Sequence, residues 1–144
     1  LQTDTFESLV FTDDVLPLDI QALTGISPEE LSEAPPLNHV ISSFTDFIKD
    51  LPLVAHNSSF DLSFLRIAFA KSGFTLENGE IDTLKLARKA FPDLTSHTLS
   101  ALKEYLGIHV DTSHRALPDA LATGELYIRC AEQLIKNRTN TASE

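Results

Sequence analysis

The 144 residues, 42% hydrophobic and 22% charged, are enough for one compact domain with a sizeable core, and they exclude a disordered tail or a repeat array. The 11 basic and 21 acidic side chains give a net charge of −10, which disfavours binding of nucleic acid by charge alone. A single cysteine, Cys130, cannot form an internal disulfide, so we expect a cytoplasmic protein, and no apolar stretch predicts a membrane span.

The first third of the chain predicts one strand and two helices. Residues 5–11 combine β-branched and aromatic side chains, which favours a strand. Ser27, Pro28 and Glu30 form a helix start in which the serine caps and the proline takes the first helical position. A longer helix is predicted from apolar residues at three- and four-residue steps, namely Leu37, Val40, Ile41, Phe44, Phe47 and Ile48.

A short apolar run at residues 53–55 is typical of a buried strand. Helical spacing follows it, and we expect Phe60, Phe64 and Leu65 to face the core. Gly73 is a plausible end for this helix, because glycine readily adopts the left-handed conformation of a helix C-terminus.

The remaining elements predict an α/β domain. A short strand begins at residue 81 and turns into a helix, a second helix starts after Thr98, and a third spans about residues 117–135. Strands interleaved with helices are typical of α/β proteins. We expect one domain over residues 1–136 and a frayed polar tail over residues 137–144.

Asp61 is the first candidate for chemistry. It falls in the first turn of the helix that follows the predicted strand, close after His56 and Asn57. The helix dipole and the unpaired amides of that turn favour a carboxylate there. Because an acid in this position is most often only a helix stabiliser, the spacing alone does not assign it a function.

A second candidate pair lies ahead of the last helix. Asp119 falls in the first turn of that helix, and His114 lies on the loop that leads into it, so both can border one cleft. Histidine is the side chain best suited to move a proton near neutral pH. A surface histidine beside a helix-stabilising acid is the commoner arrangement, so this spacing is a weak signal by itself.

The two segments together form a more specific pattern. They read Leu-Val-Ala-His-Asn-Ser-Ser-Phe-Asp-Leu-Ser-Phe-Leu at 53–65 and His-Arg-Ala-Leu-Pro-Asp at 114–119. They resemble the second and third motifs of the DEDDh exonuclease family, and the stretches at 23–30 and 81–87 resemble two further parts of that family. The resemblance covers about residues 6–130 and is strongest to its proofreading branch, the epsilon subunit of bacterial replicative DNA polymerase.

The resemblance implies a ribonuclease-H-like α/β fold, a mixed sheet flanked by helices, and an enzyme that removes nucleotides from DNA 3′ ends. In that family four carboxylates hold two divalent cations, Mg²⁺ or Mn²⁺, across the scissile phosphate. Carried over, Asp61 and Asp119 hold cations, and His114 is the general base. Asn57 and Phe60 shape the substrate pocket, and the terminal base lies against three further residues, Thr24, Gly25 and Ile26.

The sequence departs from the family at its first motif, an Asp-x-Glu on the first strand, which occurs nowhere in the chain. The nearest substitute, Asp4 and Glu7, places its acids three residues apart, on opposite faces of a strand. The chain also contains no methionine, so Leu1 is not an initiator. We expect the first strand and most of the second to be missing, and the 144-residue chain to be nearly inactive because half of the metal-binding carboxylates are absent. The net charge of −10 suggests weak binding of nucleic acid by this domain alone and dependence on a partner, such as a DNA polymerase subunit.

Two alternatives stay open. An RNA-processing exonuclease of the same family, or the exonuclease module of a polymerase or helicase, would carry the same motifs. A non-catalytic module that binds nucleic acid or a partner protein, and that has lost the first motif, would also fit. Outside the motifs, we expect His56 to hydrogen-bond locally. We expect Asp82 either to be structural or to support the metal ligands indirectly, without itself binding a metal.

Overall fold

The computed structural model describes residues 4–110 and 116–142, which form seven helices and two strands. None of the helices in these ranges is long and apolar enough to cross a membrane. In chain order the elements are α1 (Leu18–Thr24), α2 (Pro28–Ser32), α3 (Leu37–Ile48), β1 (Leu53–Ala55), α4 (Ser58–Lys71), β2 (Glu80–Asp82), α5 (Thr83–Ala90), α6 (Leu99–Leu106) and α7 (Ala116–Ala142).

The two strands pair in parallel, with Val54 opposite Ile81 and Ala55 opposite Asp82. Parallel neighbours need a long crossover connection, and α4 supplies it. The pairing begins where the Leu53 N–H donates to the Gly79 carbonyl at 2.8 Å. Both strands therefore run in one direction and end at the same edge of the sheet.

Two apolar clusters hold the elements together. One lies between α5, α6 and α7, where Leu102, Leu126 and Cys130 are fully buried. Burial raises the pKa of the Cys130 thiol, which keeps it in the unreactive protonated form. The other cluster packs α3 against α4 through Ile41 and Phe69. Leu53 of β1 packs against the second cluster, and α7 of the first cluster also contacts β1, so this strand is held by both parts of the fold.

The helix starts predicted from the sequence are confirmed in α2 and α6. The Ser27 Oγ accepts from the Glu30 N–H at 3.1 Å at the start of α2. The Thr98 Oγ1 accepts from the Ala101 N–H at 3.1 Å, which caps α6 in the same way. Gly107 ends α6 with a φ of 66°, a left-handed conformation that suits a residue without a Cβ.

The strand predicted over residues 5–11 is wrong. Within residues 4–11 the chain forms no regular strand, although the Phe11 N–H donates to the Pro35 carbonyl at 2.9 Å. Phe6 packs its ring against the rings of Phe44 and Phe47, each at 5.6 Å between centroids. β-Branched and aromatic residues favour packing on a half-buried surface, and here that surface is a helix rather than a neighbouring strand.

Helix α1 was not expected from the sequence. It begins directly after Pro17 and ends at Gly25, whose φ of 71° is left-handed. None of its residues is buried, and Leu18 is 81% exposed. A helix without a buried face leaves no apolar periodicity in the sequence, which is why pattern analysis does not find it.

Helix α7 extends to Ala142, beyond the end predicted near residue 135 and into the segment expected to fray. Side-chain hydrogen bonds accompany the extra turns. The Gln133 Nε2 donates to the Asn137 Oδ1 at 2.8 Å, and the Asn137 Nδ2 donates to the Ala90 carbonyl at 3.4 Å. The Thr139 hydroxyl donates to the Ile135 carbonyl at 3.0 Å. Polar contacts of this kind stabilise a helix without any apolar repeat.

Candidate active site

The carboxyl ends of β1 and β2 define the candidate site. His56 and Asn57 follow β1 directly, and β2 ends at Asp82, the residue before α5. In open α/β folds, ligands bind outside the carboxyl ends of parallel strands, because loops and helix starts converge there. The polar motif that the sequence singled out therefore lies at the edge where the fold favours a binding site.

Asp82 joins the ends of the two strands. Its Oδ1 accepts from the Asn57 N–H and from the Leu84 N–H, both at 2.9 Å. Asn57 has a φ of 66°, a left-handed conformation that asparagine tolerates better than most residues. The expected structural role of Asp82 is thus confirmed: it caps α5 and holds the turn that precedes α4.

A second contact fixes the start of α4. The buried Ser58 hydroxyl donates to the Glu80 Oε2 at 3.0 Å, and Arg66 forms a 3.8 Å ion pair with the Glu80 Oε1. These contacts tie the first and third turns of α4 to β2. The first turn, which carries Asp61, is therefore held at a fixed place beside the strand ends.

Asp61 lies on the exposed side of this first turn. Partial burial, followed by the charge of Asp82, raises the pKa of the Asp61 carboxyl, and the nearby His56 acts in the opposite direction. The charge of Asp82 disfavours the ionised form of Asp61, so a bound cation would be favoured beside these two carboxylates.

The raised pKa predicts the pH dependence of an Asp61→Asn variant. The contribution of wild-type Asp61 to stability is fully present below its ordinary pKa of 3.8 and is lost as pH rises through its higher pKa in the folded state. Asparagine cannot ionise, so the D61N variant does not lose this stability as pH rises. In metal-free buffer we expect the unfolding free energy of D61N, relative to wild type, to increase as pH rises from about 3 to 7, measured by urea unfolding.

An exposed apolar residue of the same helix supplies the control. Ile67→Ala changes no ionisable group, so the difference in unfolding free energy between this variant and wild type should be the same at each pH. We predict that the unfolding free energy of D61N minus that of wild type increases with pH. A difference that stays constant or decreases as pH rises would show that the folded state does not disfavour the charge of Asp61.

His56 makes two hydrogen bonds, and both join it to residues distant along the chain rather than to the local partners that the sequence predicted. Its Nε2 lies 2.7 Å from the His97 carbonyl, which can only accept, so this nitrogen carries a proton. Its Nδ1 lies 2.9 Å from the Oγ1 of Thr83, a fully buried residue. The ring is therefore committed to holding the strand end against the segment before α6, and it is not a free metal ligand.

Phe60 and Phe64 lie on the surface, which corrects the expectation that both face the core. Each is 61% exposed, and their rings meet edge to face at 5.1 Å between centroids. The buried face of α4 consists of Ser58, Leu62 and Phe69 instead. At 100° per residue, positions 60 and 64 fall on the side of the helix opposite the buried face. The result is an exposed aromatic pair beside Asp61.

The remaining residues that the sequence predicted for the site belong to other segments of the chain. Asp119 is exposed in the first turn of α7, a helix that contacts both β1 and α5. His114 falls outside the described residues. Thr24 and Gly25 end α1, where the Thr24 Oγ1 accepts from the Ile26 N–H at 3.2 Å.

The donor set fits a divalent cation only in part. Asp61 and Asp119 offer the carboxylate oxygens that hard cations prefer. Among the described residues, however, no group of three or more His, Cys, Asp or Glu side chains could hold a metal ion. The described part of the chain therefore supplies ligands of suitable chemistry but not a complete metal centre.

Comparison with known proteins identifies the family. The Exonuclease family matches residues 1–127. The chain is 38% identical to the DNA polymerase III PolC-type of Caldanaerobacter subterraneus over 98% of its own length and 10% of that protein. It is 40% identical to the 3'-5' exonuclease DinG of Staphylococcus epidermidis, over 98% of its own length and 16% of that protein.

A solved structure agrees with these relatives. Exonuclease X, solved in complex with 5' overhanging duplex DNA, matches 86% of this chain and 70% of its own with a TM-score of 0.64 and 26% identity. The predicted ribonuclease-H-like exonuclease fold and the resemblance to proofreading exonucleases are thereby confirmed, although the two strands described here are parallel rather than mixed. The chain spans only a small part of its polymerase and DinG relatives, and it belongs to the Exonuclease family.

Proposed function

We propose that this domain is a 3′–5′ exonuclease that releases nucleotides from single-stranded or frayed DNA 3′ ends during proofreading or repair in the cytoplasm. The observation that supports it most directly is the position of Asp61. In a member of the Exonuclease family, this carboxylate stands beside the ends of two parallel strands, in a helix turn held by Asp82 and Ser58.

The residues at this edge have complementary tasks in the proposal. Phe60, exposed beside Phe64, stacks on a base of the single-stranded end, since every base presents an aromatic face. Asn57, which has a left-handed φ of 66°, helps to shape the substrate pocket in this proposal. The terminal base lies against Thr24, Gly25 and Ile26. Stacking and hydrogen bonds of this kind allow a domain of net charge −10 to hold nucleic acid without many lysines.

In this proposal Asp61 and Asp119 hold two divalent cations, Mg²⁺ or Mn²⁺. The cations supply Lewis acidity at the scissile phosphate. His114 takes the proton from the attacking water as general base, because histidine is the side chain best suited to move a proton near neutral pH. The chain's own contributions are thus orientation of the 3′ end and removal of one proton.

We further propose that this chain alone is nearly inactive and relies on a partner, such as a polymerase subunit. Asp61 and Asp119 are two of the four carboxylates that the mechanism uses, and the sequence contains no Asp-x-Glu. In the described residues, no third ligand joins either of them. Weak cation binding follows, because the affinity for a hard cation depends on the number of charged oxygens around it.

One experiment distinguishes the proposal from its two alternatives, an RNA-processing exonuclease and a non-catalytic module. DNA and RNA oligonucleotides of the same sequence, labelled at the 5′ end, are incubated with excess protein and Mn²⁺. Faster shortening of DNA supports the proposal, and faster shortening of RNA favours an RNA-processing exonuclease. Binding of either oligonucleotide without Mn²⁺-dependent shortening favours a non-catalytic module. The genomic sequence upstream of Leu1 adds a simple check, since an Asp-x-Glu in frame there would support the enzyme.

A further inference from the structure

A cleft of about 560 Å³ opens next to the candidate active site and is distinct from the Asp61 helix turn. Leu84 and Arg88 form one wall, and they lie four residues apart on the same face of α5. Thr95 and Leu99, which lie before and within the first turn of α6, also line the cleft. Asn57 lines the end nearest β1, so the cleft adjoins the proposed catalytic edge.

Hydrogen bonds fix the walls of this cleft relative to one another. The His97 Nε2 donates to the Phe91 carbonyl at 2.8 Å, which ties the segment before α6 to the end of α5. The His97 carbonyl accepts from His56 at 2.7 Å, which ties the same segment to the end of β1. A cleft whose three sides are bonded together is formed before any ligand arrives, so binding need not order it.

The chemistry of the lining is unusual for this chain. The protein carries 21 acidic side chains, yet none of the described residues that line the cleft is an aspartate or glutamate. Arg88 is exposed, and within residues 4–110 and 116–142 it has no ion-pair or hydrogen-bond partner. A guanidinium offers a planar fork of donors that matches a phosphate. Leu84 and Leu99 provide an apolar surface beside it.

We propose that this cleft, called here the Arg88 cleft, binds one nucleotide unit of the polynucleotide substrate. Its phosphate is held by Arg88, its sugar and base pack on Leu84 and Leu99, and Asn57 and Thr95 offer uncharged hydrogen-bonding groups. The inference rests on the proposed function and extends it, because it assigns a phosphate contact away from the reacting bond. Arg88 is thus a positioning residue that retains the strand.

The test uses the 144-residue chain in metal-free buffer at low ionic strength and measures binding of a fluorescent oligothymidylate by anisotropy. We expect Arg88→Gln to raise the Kd about tenfold, as for loss of a hydrogen-bonded charge. The slope of log K against log salt should become shallower by about 0.7, since one phosphate contact on a single strand is lost. Lys89→Gln removes a neighbouring exposed cation outside the cleft and should change the Kd less than about twofold.

NMR locates the contact independently of affinity. Amide shifts on addition of oligothymidylate should include Thr95, His97 and Leu99. Thymidine monophosphate and inorganic phosphate are titrated separately, and the oligonucleotide should bind at least about tenfold more tightly than either, because adjoining units add contacts. Equal affinities would overturn the polynucleotide assignment and leave a site for free phosphate groups.

The outcomes separate this inference from the proposed function. Two results would overturn the proposed binding at the Arg88 cleft without affecting the proposed exonuclease function. One is an equal Kd for oligothymidylate in the Arg88→Gln and Lys89→Gln variants. The other is a set of amide shifts near Phe60 with no shifts in the cleft. Shifts in the cleft without any Mn²⁺-dependent shortening of DNA would support the cleft and count against the exonuclease. No binding by wild type at millimolar oligothymidylate would overturn the inference. Circular dichroism checks that the variants fold, as expected for an exposed side chain.

Discussion

In the presence of Mn²⁺, the 144-residue chain should shorten single-stranded DNA at below about 10⁻³ s⁻¹, at least about a thousandfold slower than typical enzymes turn over. The physical reason is the shortage of ligands. The sequence contains no Asp-x-Glu, and Asp61 and Asp119 meet no third ligand among the described residues. Loss of catalytic groups that act as a unit commonly costs several orders of magnitude in rate.

The rate is measured in a single turnover with protein in excess over a 5′-labelled oligonucleotide. A double variant, Asp61→Asn with Asp119→Asn, purified in parallel, gives the background from contaminating nucleases. Shortening by wild type at about 1 s⁻¹ or faster, well above that background, would contradict the claim that this chain is nearly inactive. It would leave the family assignment untouched.

Leu62→Ala should lower the free energy of unfolding by about 3 kcal/mol, the usual cost of a cavity at a buried leucine. Leu62 is 2% exposed and follows Asp61 directly on α4. A loss of this size is a large part of the total stability of a domain, which is about 5–15 kcal/mol. Urea unfolding monitored by circular dichroism measures it.

Ile67→Ala is the matched control, because Ile67 is on the same helix but 55% exposed. It should cost less than about 1 kcal/mol, since most of the side chain is already in water. If the two variants were equally stable, the description of which face of α4 is buried would be wrong. The comparison therefore tests the orientation that places Phe60 and Phe64 at the surface.

Elements with a strong local signal were predictable from the sequence. Ser27 and Thr98 cap helices where their spacing indicated, and the apolar run before His56 is a strand. The position of Asp61 in the first turn of α4 was also foreseen. In each case the signal lies within a few residues, where capping and turn chemistry act.

Features that depend on tertiary partners were not predictable. Residues 5–11 have the composition of a strand, but Phe6 finds its neighbours on α3. The alternation of apolar residues on α4 did not distinguish the face of Phe60 from that of Leu62. The bond between His56 and the His97 carbonyl joins residues 41 apart, so no local pattern reveals it. The Arg88 cleft depends on this bond and was equally hidden.

Asp82 shows how far the contacts within the candidate site could be predicted from the sequence. A structural role was among the expectations for Asp82, but the cap that it forms on α5 was not itself predicted. Its second bond, to the Asn57 N–H, and its effect on the pKa of Asp61 require β1 and β2 to be adjacent. Pairing between strands separated along the chain is a property of topology, which periodicity does not encode.

The central claim, an exonuclease that works from the 3′ end through Asp61 and Asp119, is tested most directly by the products of a long incubation. A 5′-labelled DNA oligonucleotide is incubated with excess protein and Mn²⁺, and the fragments are separated by length. The proposal predicts a slow ladder that shortens one nucleotide at a time from the 3′ end, that requires Mn²⁺, and that Asp61→Asn and Asp119→Asn each abolish. Internal cuts, or a ladder that survives both substitutions or the omission of Mn²⁺, would contradict it.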